Sequence, residues 1–303
     1  MFADTHDRFA LADKNSSSFS ITFNLGEIEL EEKNGYTKIF SKSKGETSII
    51  GMPKLPKFST LVMIDPTKKY DITYDVIDSY FVDDIEIIPN QRIEKGLEKS
   101  IIDEKDISFY SSSQVYPYHN IILSEPMIMR DIVLSNVSVI PFKYHADSKR
   151  LEVYKSVNIQ ISEAGESEDI RRRIMPKSRV FENIYKNSII NYDTELRDDY
   201  QQPAVLYIGP SSVIDNSNFL QLVEWRRQRG YVVYTATTSQ TGSSTSSIKN
   251  YIENAYDNFD PAPEYVSLIG DVGGSYSIPT FYDGHGHNSY GNECEGDHPY
   301  SQL

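Results

Sequence analysis

A thiol and two imidazoles occur close together near the end of the chain. His285 and His287 precede Cys294, which is the one cysteine of the sequence. A histidine can take the thiol proton and make a cysteine nucleophilic when a rigid element holds both groups within hydrogen-bond reach. These residues lie in a stretch rich in glycine, asparagine and serine, with no predicted helix or strand between them. The pattern therefore favours a surface loop over a catalytic pair.

Acidic side chains surround the same stretch, at Asp283, Glu293, Glu295 and Asp297. Carboxylate oxygens are ligands that calcium prefers, so this stretch could bind calcium. A solvated acidic loop accounts for the same residues. The sequence leaves the metal question open.

Three other segments carry residues that could have a chemical role. Residues 208–212 follow a predicted strand, as phosphate loops do, but they lack the required glycine spacing and Pro210 lacks an N–H, so a βα turn is favoured. Asp271 ends another predicted strand, where open α/β sheets place their sites and where turn caps are equally common. Residues 171–173 are three arginines, either a processing site or a solvated charge run. No cofactor-binding residue is predicted.

Composition excludes several classes of protein. The 303 residues carry a net charge of −14, which disfavours nucleic acid as a partner. A single cysteine excludes an intrachain disulfide, and no CxxC or Cys/His set is available for a structural zinc site. No apolar run approaches the roughly 18 residues of a membrane span. Residues 1–18 lack the apolar stretch of a signal peptide, so we expect either no export or a true N-terminus further upstream.

The first half of the chain is predicted to be all-β. Asn34-Gly35 lies between two alternating runs and indicates a type I′ hairpin. Further strands are expected over residues 59–64, 71–77, 81–88, 131–144 and 151–162, and residues 89–120 carry no assignable pattern. The clearest period of two is that of Leu151, Val153, Val157, Ile159 and Ile161, broken at Lys155. Six or more strands without convincing helices predict a β-sandwich domain over residues 1–165.

Residues 166–202 are predicted to be a linker with one amphipathic helix. Ser178 stands before apolar residues at helical spacing, namely Phe181, Ile184, Tyr185 and Ile189. The acidic and basic runs before this helix are typical of a connection between packed units.

From residue 203 onward strands and helices alternate. Strands are expected over residues 204–208, 232–236 and 264–269. Ser217 is predicted to cap a first helix with Phe219, Leu220, Leu222 and Val223 on one face, and Gly230 to end it. Residues 243–247 are predicted to cap a second helix, with Ile248, Ile252 and Ala255 inward.

Strands joined by helices run parallel, so residues 203–303 are predicted to form an α/β domain. Only three strands are expected in this domain, whereas doubly wound sheets commonly contain five or more. We therefore expect this domain to be truncated.

Taken in order, several segments resemble the gingipain-type C25 family of cysteine peptidases. Residues 51–56 are similar to a glycine, proline, leucine, proline motif of the propeptide, and residues 131–142 with 151–155 resemble its paired strands with a "VYK"-like end. The opening of the catalytic domain is similar to residues 207–210, 223–230, 244–252, 265–271 and 297–300.

This resemblance implies an exported cysteine endopeptidase precursor, secreted or at the cell surface. Its β-sandwich propeptide would contact its own catalytic domain, which would be Rossmann-like or caspase-like and would cleave proteins or peptides. In this family the catalytic His-Gly and Cys lie beyond the Asp-His-x-Tyr segment, residues 297–300 here. His285-Gly286 precedes that segment and cannot be carried over. The resemblance thus implies that this chain holds no catalytic residue and is inactive alone.

The competing hypothesis is a non-catalytic cell-surface protein. In it, a β-sandwich adhesion module is fused to a flavodoxin-like α/β domain. A strand ending in His-Gly and another ending in Cys, both downstream of residue 303, would favour the peptidase over this alternative.

Overall fold

The computed structural model describes residues 8–42, 45–92, 104–167, 176–193, 200–282 and 295–303. The chain divides into two compact units. The first unit consists of Met1–Met175 and Asn183–Leu196, and the second of Pro176–Glu182 and Arg197–Leu303. None of the described helices combines the length and apolar character that crossing a membrane requires.

The first unit consists mainly of β-strands. In chain order they are β1 (Phe9–Lys14), β2 (Ser18–Asn24), β3 (Glu29–Lys33), β4 (Tyr36–Phe40), β5 (Gly45–Glu46), β6 (Pro56–Met63), β7 (Lys68–Val82), β8 (Val115–Tyr116), β9 (Ile121–Leu123), β10 (Met127–Met129), β11 (Ile132–Val139), β12 (Phe142–His145) and β13 (Arg150–Glu166). Helix α1 (Ile107–Tyr110) precedes β8. Helix α2 (Arg179–Ser188) follows β13, and its residues belong to the second unit up to Glu182 and to the first unit from Asn183.

Two larger antiparallel sheets and the separate β3–β4 pair form this unit. The first has the order β1-β2-β13-β12-β8, and β7 pairs with the opposite side of β13. The second has the order β10-β11-β6-β5, with β9 also paired to β11. Both sheets contribute side chains to one hydrophobic core, with Phe23 and Ile159 from the first sheet and Val62 and Val137 from the second all fully buried. The predicted all-β character of the first half is confirmed.

The Asn34-Gly35 hairpin is confirmed, with β3 and β4 antiparallel on either side of it. Both residues have positive φ, 55° for Asn34 and 77° for Gly35. Asparagine and glycine tolerate this region best, which is why this dipeptide is a strong hairpin signal.

Several predicted strands were wrong in their limits. Residues 71–77 and the start of 81–88 belong to one strand, β7, and the chain leaves the sheet at Asp83. The run 131–144 is two strands in different sheets, because it is interrupted at Ile140-Pro141. Strand β1 and helix α1 were not predicted.

An irregularity in the pairing of β7 with β13 accounts for the break at Lys155. The register shifts on both sides of Ser156, so that Ile77 on β7 and Lys155 on β13 have no partner in the ladder. Lys155 is exposed and its ammonium group lies 2.9 Å from the Asp78 carboxylate. The period of two is interrupted because the ladder itself is interrupted.

The predicted helix after Ser178 is confirmed as α2, and the Ser178 hydroxyl accepts a hydrogen bond from the Phe181 N–H at 3.2 Å. Tyr185 and Ile189 are buried as expected. Ile184 is exposed, contrary to its predicted place on the apolar face.

The second unit alternates strands and helices. Its strands are β14 (Ala204–Gly209), β15 (Val232–Thr237), β16 (Tyr265–Leu268), β17 (Phe281–Tyr282) and β18 (Glu295–Gly296). Its helices are α3 (Ser211–Ile214), α4 (Ser217–Gln228), α5 (Thr238–Thr241) and α6 (Thr245–Asn258), and 3₁₀ turns occur at Gly274–Tyr276 and His298–Ser301.

The predicted parallel sheet is confirmed, with the order β15-β14-β16. Strand β14 is central and every one of its residues is buried. Because alternate residues face opposite sides, Val205 and Tyr207 pack with Phe219 of α4, whereas Leu206 and Ile208 pack with Ile248 of α6. Helices therefore cover both faces of β14.

The helix-cap predictions were partly wrong. Asn216, not Ser217, is the N-cap of α4, and its side chain accepts the Asn218 N–H. Leu220 and Leu222 are exposed, so the buried face consists of Phe219 and Val223. The Gly230 prediction was right, because α4 ends two residues before this glycine, which has φ 86°.

The second helix of this unit matches its prediction. Ser244 and Ser247 form a capping box at the start of α6, and Ile248, Ile252 and Ala255 are buried. The short helices α3 and α5 were not predicted.

Candidate functional site

The glycine-proline motif of the first unit joins two distant parts of the chain. The Gly51 N–H donates to the Asn90 carbonyl at 2.9 Å, and the Gly51 carbonyl accepts the Asp106 N–H at 3.1 Å. Gly51 has φ +81°, and a Cβ there would lie 2.6 Å from the Glu104 carbonyl oxygen. Only glycine satisfies both the backbone angle and the close approach.

Buried polar side chains hold this motif in place. The Thr47 hydroxyl donates to the Pro53 carbonyl at 2.8 Å and accepts the Leu55 N–H at 3.0 Å. The Asn90 amide donates to the Met52 carbonyl at 3.3 Å. Buried backbone groups cost free energy unless they are paired, so these side chains allow the motif to sit in the core.

An ion-pair cluster lies in the same unit. The Glu86 carboxylate contacts the ammonium groups of Lys105 and Lys149, and Lys105 also lies 4.5 Å from the centre of the Tyr110 ring. Partial burial raises the pKa of Glu86, but hydrogen bonds and charge attraction from the two lysines outweigh burial and lower that pKa overall. Local sequence patterns could not identify this cluster, because its members come from three separate segments.

Two glycines stand at the carboxyl edge of the parallel sheet. A Cβ on Gly209 would lie 2.6 Å from the Ile269 carbonyl oxygen, and one on Gly270 would lie 2.5 Å from the Tyr276 carbonyl oxygen. The backbone at the end of β14 and just after β16 therefore packs directly against its neighbours. This is the edge where open α/β sheets bind ligands.

The polar residues at this edge have structural partners. The Asp271 carboxylate accepts the N–H of the next residue, Val272, at 2.8 Å, and the Asp271 N–H donates to the Tyr276 carbonyl at 3.1 Å across the following turn. Pro210 is the N-cap of α3 without a side-chain hydrogen bond, and α3 has only four residues. Both observations favour the turn interpretations over a phosphate site.

The Asp297-His298-Pro299-Tyr300 segment is anchored by its tyrosine. Tyr300 is buried in the core beside α6, and its hydroxyl donates to the Pro279 carbonyl at 2.6 Å. Burial, together with the charge of Asp297, raises the pKa of this hydroxyl to about 12. The Asp297 carboxylate accepts the Thr280 hydroxyl at 3.2 Å. Within the part of the chain that the structure describes, this segment therefore packs against the core beside α6.

A groove of about 290 Å³ runs beside β16. Its walls are α6, β16 and the segment from Asp297 to Leu303, and its lining is mostly apolar. The polar residues are Glu264, Asp297 and Ser301, and the Ser301 hydroxyl donates to the His298 carbonyl at 2.8 Å. No thiol or imidazole is among the described residues that line it.

Several predicted site residues lie outside the described residues. These are His285, His287, Cys294, Asp283, Glu293 and the three arginines at 171–173. Glu295 lies in β18 and Asp297 at the 3₁₀ turn. Within the described ranges no group of three or more His, Cys, Asp or Glu is placed to hold a metal ion. The structure thus tests neither the predicted surface loop around the thiol and the imidazoles nor the open question of calcium binding.

Two family models match adjoining parts of the chain. The model described as Propeptide_C25 matches residues 6–199, and the model described as Peptidase family C25 matches residues 198–303.

Curated relatives come from Porphyromonas gingivalis. Gingipain R1 is 24% identical over 265 residues, which is 82% of this chain and 26% of that protein. Lys-gingipain is 22% identical over 293 residues, which is 88% of this chain and 16% of that protein. The chain spans about a quarter of the length of Gingipain R1.

One solved structure is similar in fold. It is described as the complex of Porphyromonas gingivalis RgpB pro- and mature domains, and the match has a TM-score of 0.52 at 22% identity. The match covers 61% of this chain and 97% of that chain.

Proposed function

We propose, from the premise that the chain belongs to the gingipain-type C25 family of cysteine peptidase precursors, that residues 6–199 are the propeptide of a proteolytic zymogen. The observation that carries the proposal is the pair of adjoining family matches, propeptide first and peptidase second. In the complete protein a cysteine thiolate, activated by a histidine, would attack the peptide carbonyl, and backbone amides would stabilise the oxyanion.

The propeptide binds its own catalytic domain in this proposal. The similar solved chain belongs to a complex of pro- and mature domains, which supports the same arrangement here. The substrates of the complete protein are proteins or peptides, and its location is secreted or at the cell surface. The boundary between the two domains falls in the linker at residues 166–202.

The second unit is the opening part of a Rossmann-like or caspase-like catalytic domain. Its parallel order β15-β14-β16, with helices against both faces of β14, supports this assignment. The catalytic His and Cys are not among the residues of this chain, because the family places both beyond the segment at residues 297–300. The chain by itself is therefore inactive.

The adhesion-module alternative is not favoured. It would require two unrelated modules, whereas both parts of the chain match models of one peptidase precursor.

A proteolysis assay tests the proposed lack of activity. The purified chain is incubated with casein and with fluorogenic peptides, with and without a reducing agent, and compared with its Cys294→Ala variant. We expect no thiol-dependent turnover from either protein. Thiol-dependent turnover that disappears in Cys294→Ala would contradict the proposal.

An inhibition assay tests the propeptide role. The chain is added to a mature C25 peptidase, and the rate of peptide hydrolysis is followed. We expect slower hydrolysis with the native chain and with Leu206→Ala, which disturbs only the second unit's core. Ile159→Ala, which disturbs the core of the first unit, should inhibit less. Equal rates with and without the native chain would speak against the propeptide role.

A further inference from the structure

Strand β7 presents a long unpaired edge. It has 15 residues, contains no proline, and pairs with β13 along one side. In the described part of the chain no strand pairs with its other side. Exposed edges are usually short, covered or interrupted, because their free N–H and C=O groups readily bind another strand. This edge is therefore suited to pairing with another chain.

The first nine residues of β7 are the regular part of that edge. The residue inserted into β7 is Ile77, so Lys68 to Val76 run without an insertion on the β7 side. In this stretch Tyr70, Ile72 and Tyr74 lie opposite Glu163, Ile161 and Ile159 of β13 and share one face of the sheet. The residues between them, Lys69, Asp71, Thr73 and Asp75, share the other face.

The side chains of this stretch are arranged symmetrically about Ile72. Antiparallel pairing of two copies around a two-fold axis through Ile72 would place Lys69 opposite Asp75, Tyr70 opposite Tyr74, and Asp71 opposite Thr73. Opposite charges, aromatic pairs and hydroxyl–carboxylate pairs all stabilise neighbouring strands when they face each other. Each of these pairs would occur twice.

Other registers lack this match. In an antiparallel pair, two residues that lie opposite each other point to the same face of the sheet. The two-fold axis that relates the two copies must therefore pass through a residue and not midway between two neighbouring residues. An axis through Tyr74 would place the Asp71 carboxylate opposite Ile77, and Lys69 would lose its acidic partner. The axis through Ile72 is therefore the complementary one.

The charged members of the set are available for such pairing. Lys69 and Asp75 are both exposed, and neither forms an ion pair with another described residue. Tyr74 is 39% exposed despite lying on the core-facing side of the sheet. Contact of these side chains with the complementary residues of a second β7 strand would therefore stabilise the pairing of the two strands.

We propose that two copies of the chain associate through β7, in antiparallel register about Ile72, to form one continuous sheet. The interface is isologous, because the same strand is contributed by each copy. This inference does not rest on the proposed propeptide role.

Charge exchange tests the register. The dimer dissociation constant of the complete chain is measured by sedimentation velocity over a concentration series. Asp75→Lys places two lysines opposite each other at both ends of the pairing, and we expect the dissociation constant to rise by about tenfold. The double variant Lys69→Asp/Asp75→Lys restores opposite charges and should return it close to the native value.

The matched control is Asp13→Lys, an exposed residue on β1 at the opposite edge of the same sheet. It should leave the dissociation constant unchanged, and circular dichroism should show that all variants remain folded. Hydrogen exchange at residues 69–75 should slow as the native chain dimerises.

Three outcomes would overturn the proposal. The first is a native chain that stays monomeric at every concentration, and the second is a dimer indifferent to Asp75→Lys. The third is a monomer in which the outward-facing amides of residues 69–75, the alternate ones that do not bond to β13, are already protected, which would mean that another segment of the chain occupies this edge.

Discussion

Strands β14 and β7 show how position within a sheet decides burial. Strand β14 is flanked on both sides and covered on both faces, and all six of its residues are buried. Strand β7 lies at an edge, and none of its 15 residues is buried although it contains Ile72, Val76, Ile77 and Phe81. Apolar composition alone therefore does not place a strand in the core.

The largest expected effect is the difference in stability between a substitution at the centre of a sheet and one at its edge. Ile159 on β13 is fully buried, whereas Ile77 on β7 is 66% exposed. Ile159→Ala should lower the free energy of unfolding by about 2–5 kcal/mol, through lost burial and the cavity left behind. Ile77→Ala should change it by less than about 0.5 kcal/mol. Urea unfolding followed by circular dichroism measures both, and equal losses would break the comparison.

A smaller effect is expected at the end of the central parallel strand. Gly209→Ala would place a Cβ 2.6 Å from the Ile269 carbonyl oxygen, whereas Gly273→Ala would meet nothing within 4 Å. Overpacking against backbone should cost roughly 1–3 kcal/mol for Gly209→Ala. Differential scanning calorimetry should show a lower transition temperature for Gly209→Ala than for Gly273→Ala. The same temperature for both variants would show that the backbone at Ile269 moves freely.

The smallest expected effect is a difference between the two units in how their stability changes at acid pH. Among the described carboxyl groups, the pKa is lowered at Glu86 and Asp106, both in the first unit. When the pKa of a carboxyl group is lower in the folded state than in the unfolded state, its ionisation stabilises the folded protein. This stabilisation is fully present at pH values above the unfolded-state pKa, about 4.5 for Glu86, and it is lost as the pH falls through the folded-state pKa.

Glu86→Gln should therefore reduce the stability of the first unit at neutral pH by at most about 1 kcal/mol, and should flatten its loss of stability below about pH 4.5. Urea unfolding at a series of pH values measures both changes. The matched variant Glu46→Gln removes a carboxylate that lies 2.8 Å from the Lys54 ammonium group, and its stability is measured over the same pH series for comparison. An unchanged acid profile in Glu86→Gln would assign the acid sensitivity to other groups.

Local patterns predicted the elements whose signals are themselves local. The Asn34-Gly35 hairpin requires two positive φ angles, and the α6 cap requires serines three residues apart. Both depend on neighbouring residues, so the sequence indicated them correctly. The parallel β14, β15 and β16 followed from the alternation of strands and helices in the same way.

The features that were missed depend on distant parts of the chain. Leu220 and Ile184 are exposed because no element among the described residues covers their side of the helix, which periodicity cannot reveal. The run 131–144 keeps its apolar character while it passes from one sheet to the other, so its two strands read as one. The contacts of Gly51 and Gly209 likewise involve residues far along the chain. Of the predicted site residues, the structure describes partners for Asp271 and Asp297 and does not describe Cys294, His285 or His287.

The double hydrogen bond of Gly51 fixes both ends of the connection between Asn90 and Asp106. A side chain at this position would meet the Glu104 carbonyl and the Asp106 backbone, so it would disturb both hydrogen bonds together. One backbone position thus couples Asn90 to Asp106, and a single substitution there acts on two distant segments at once.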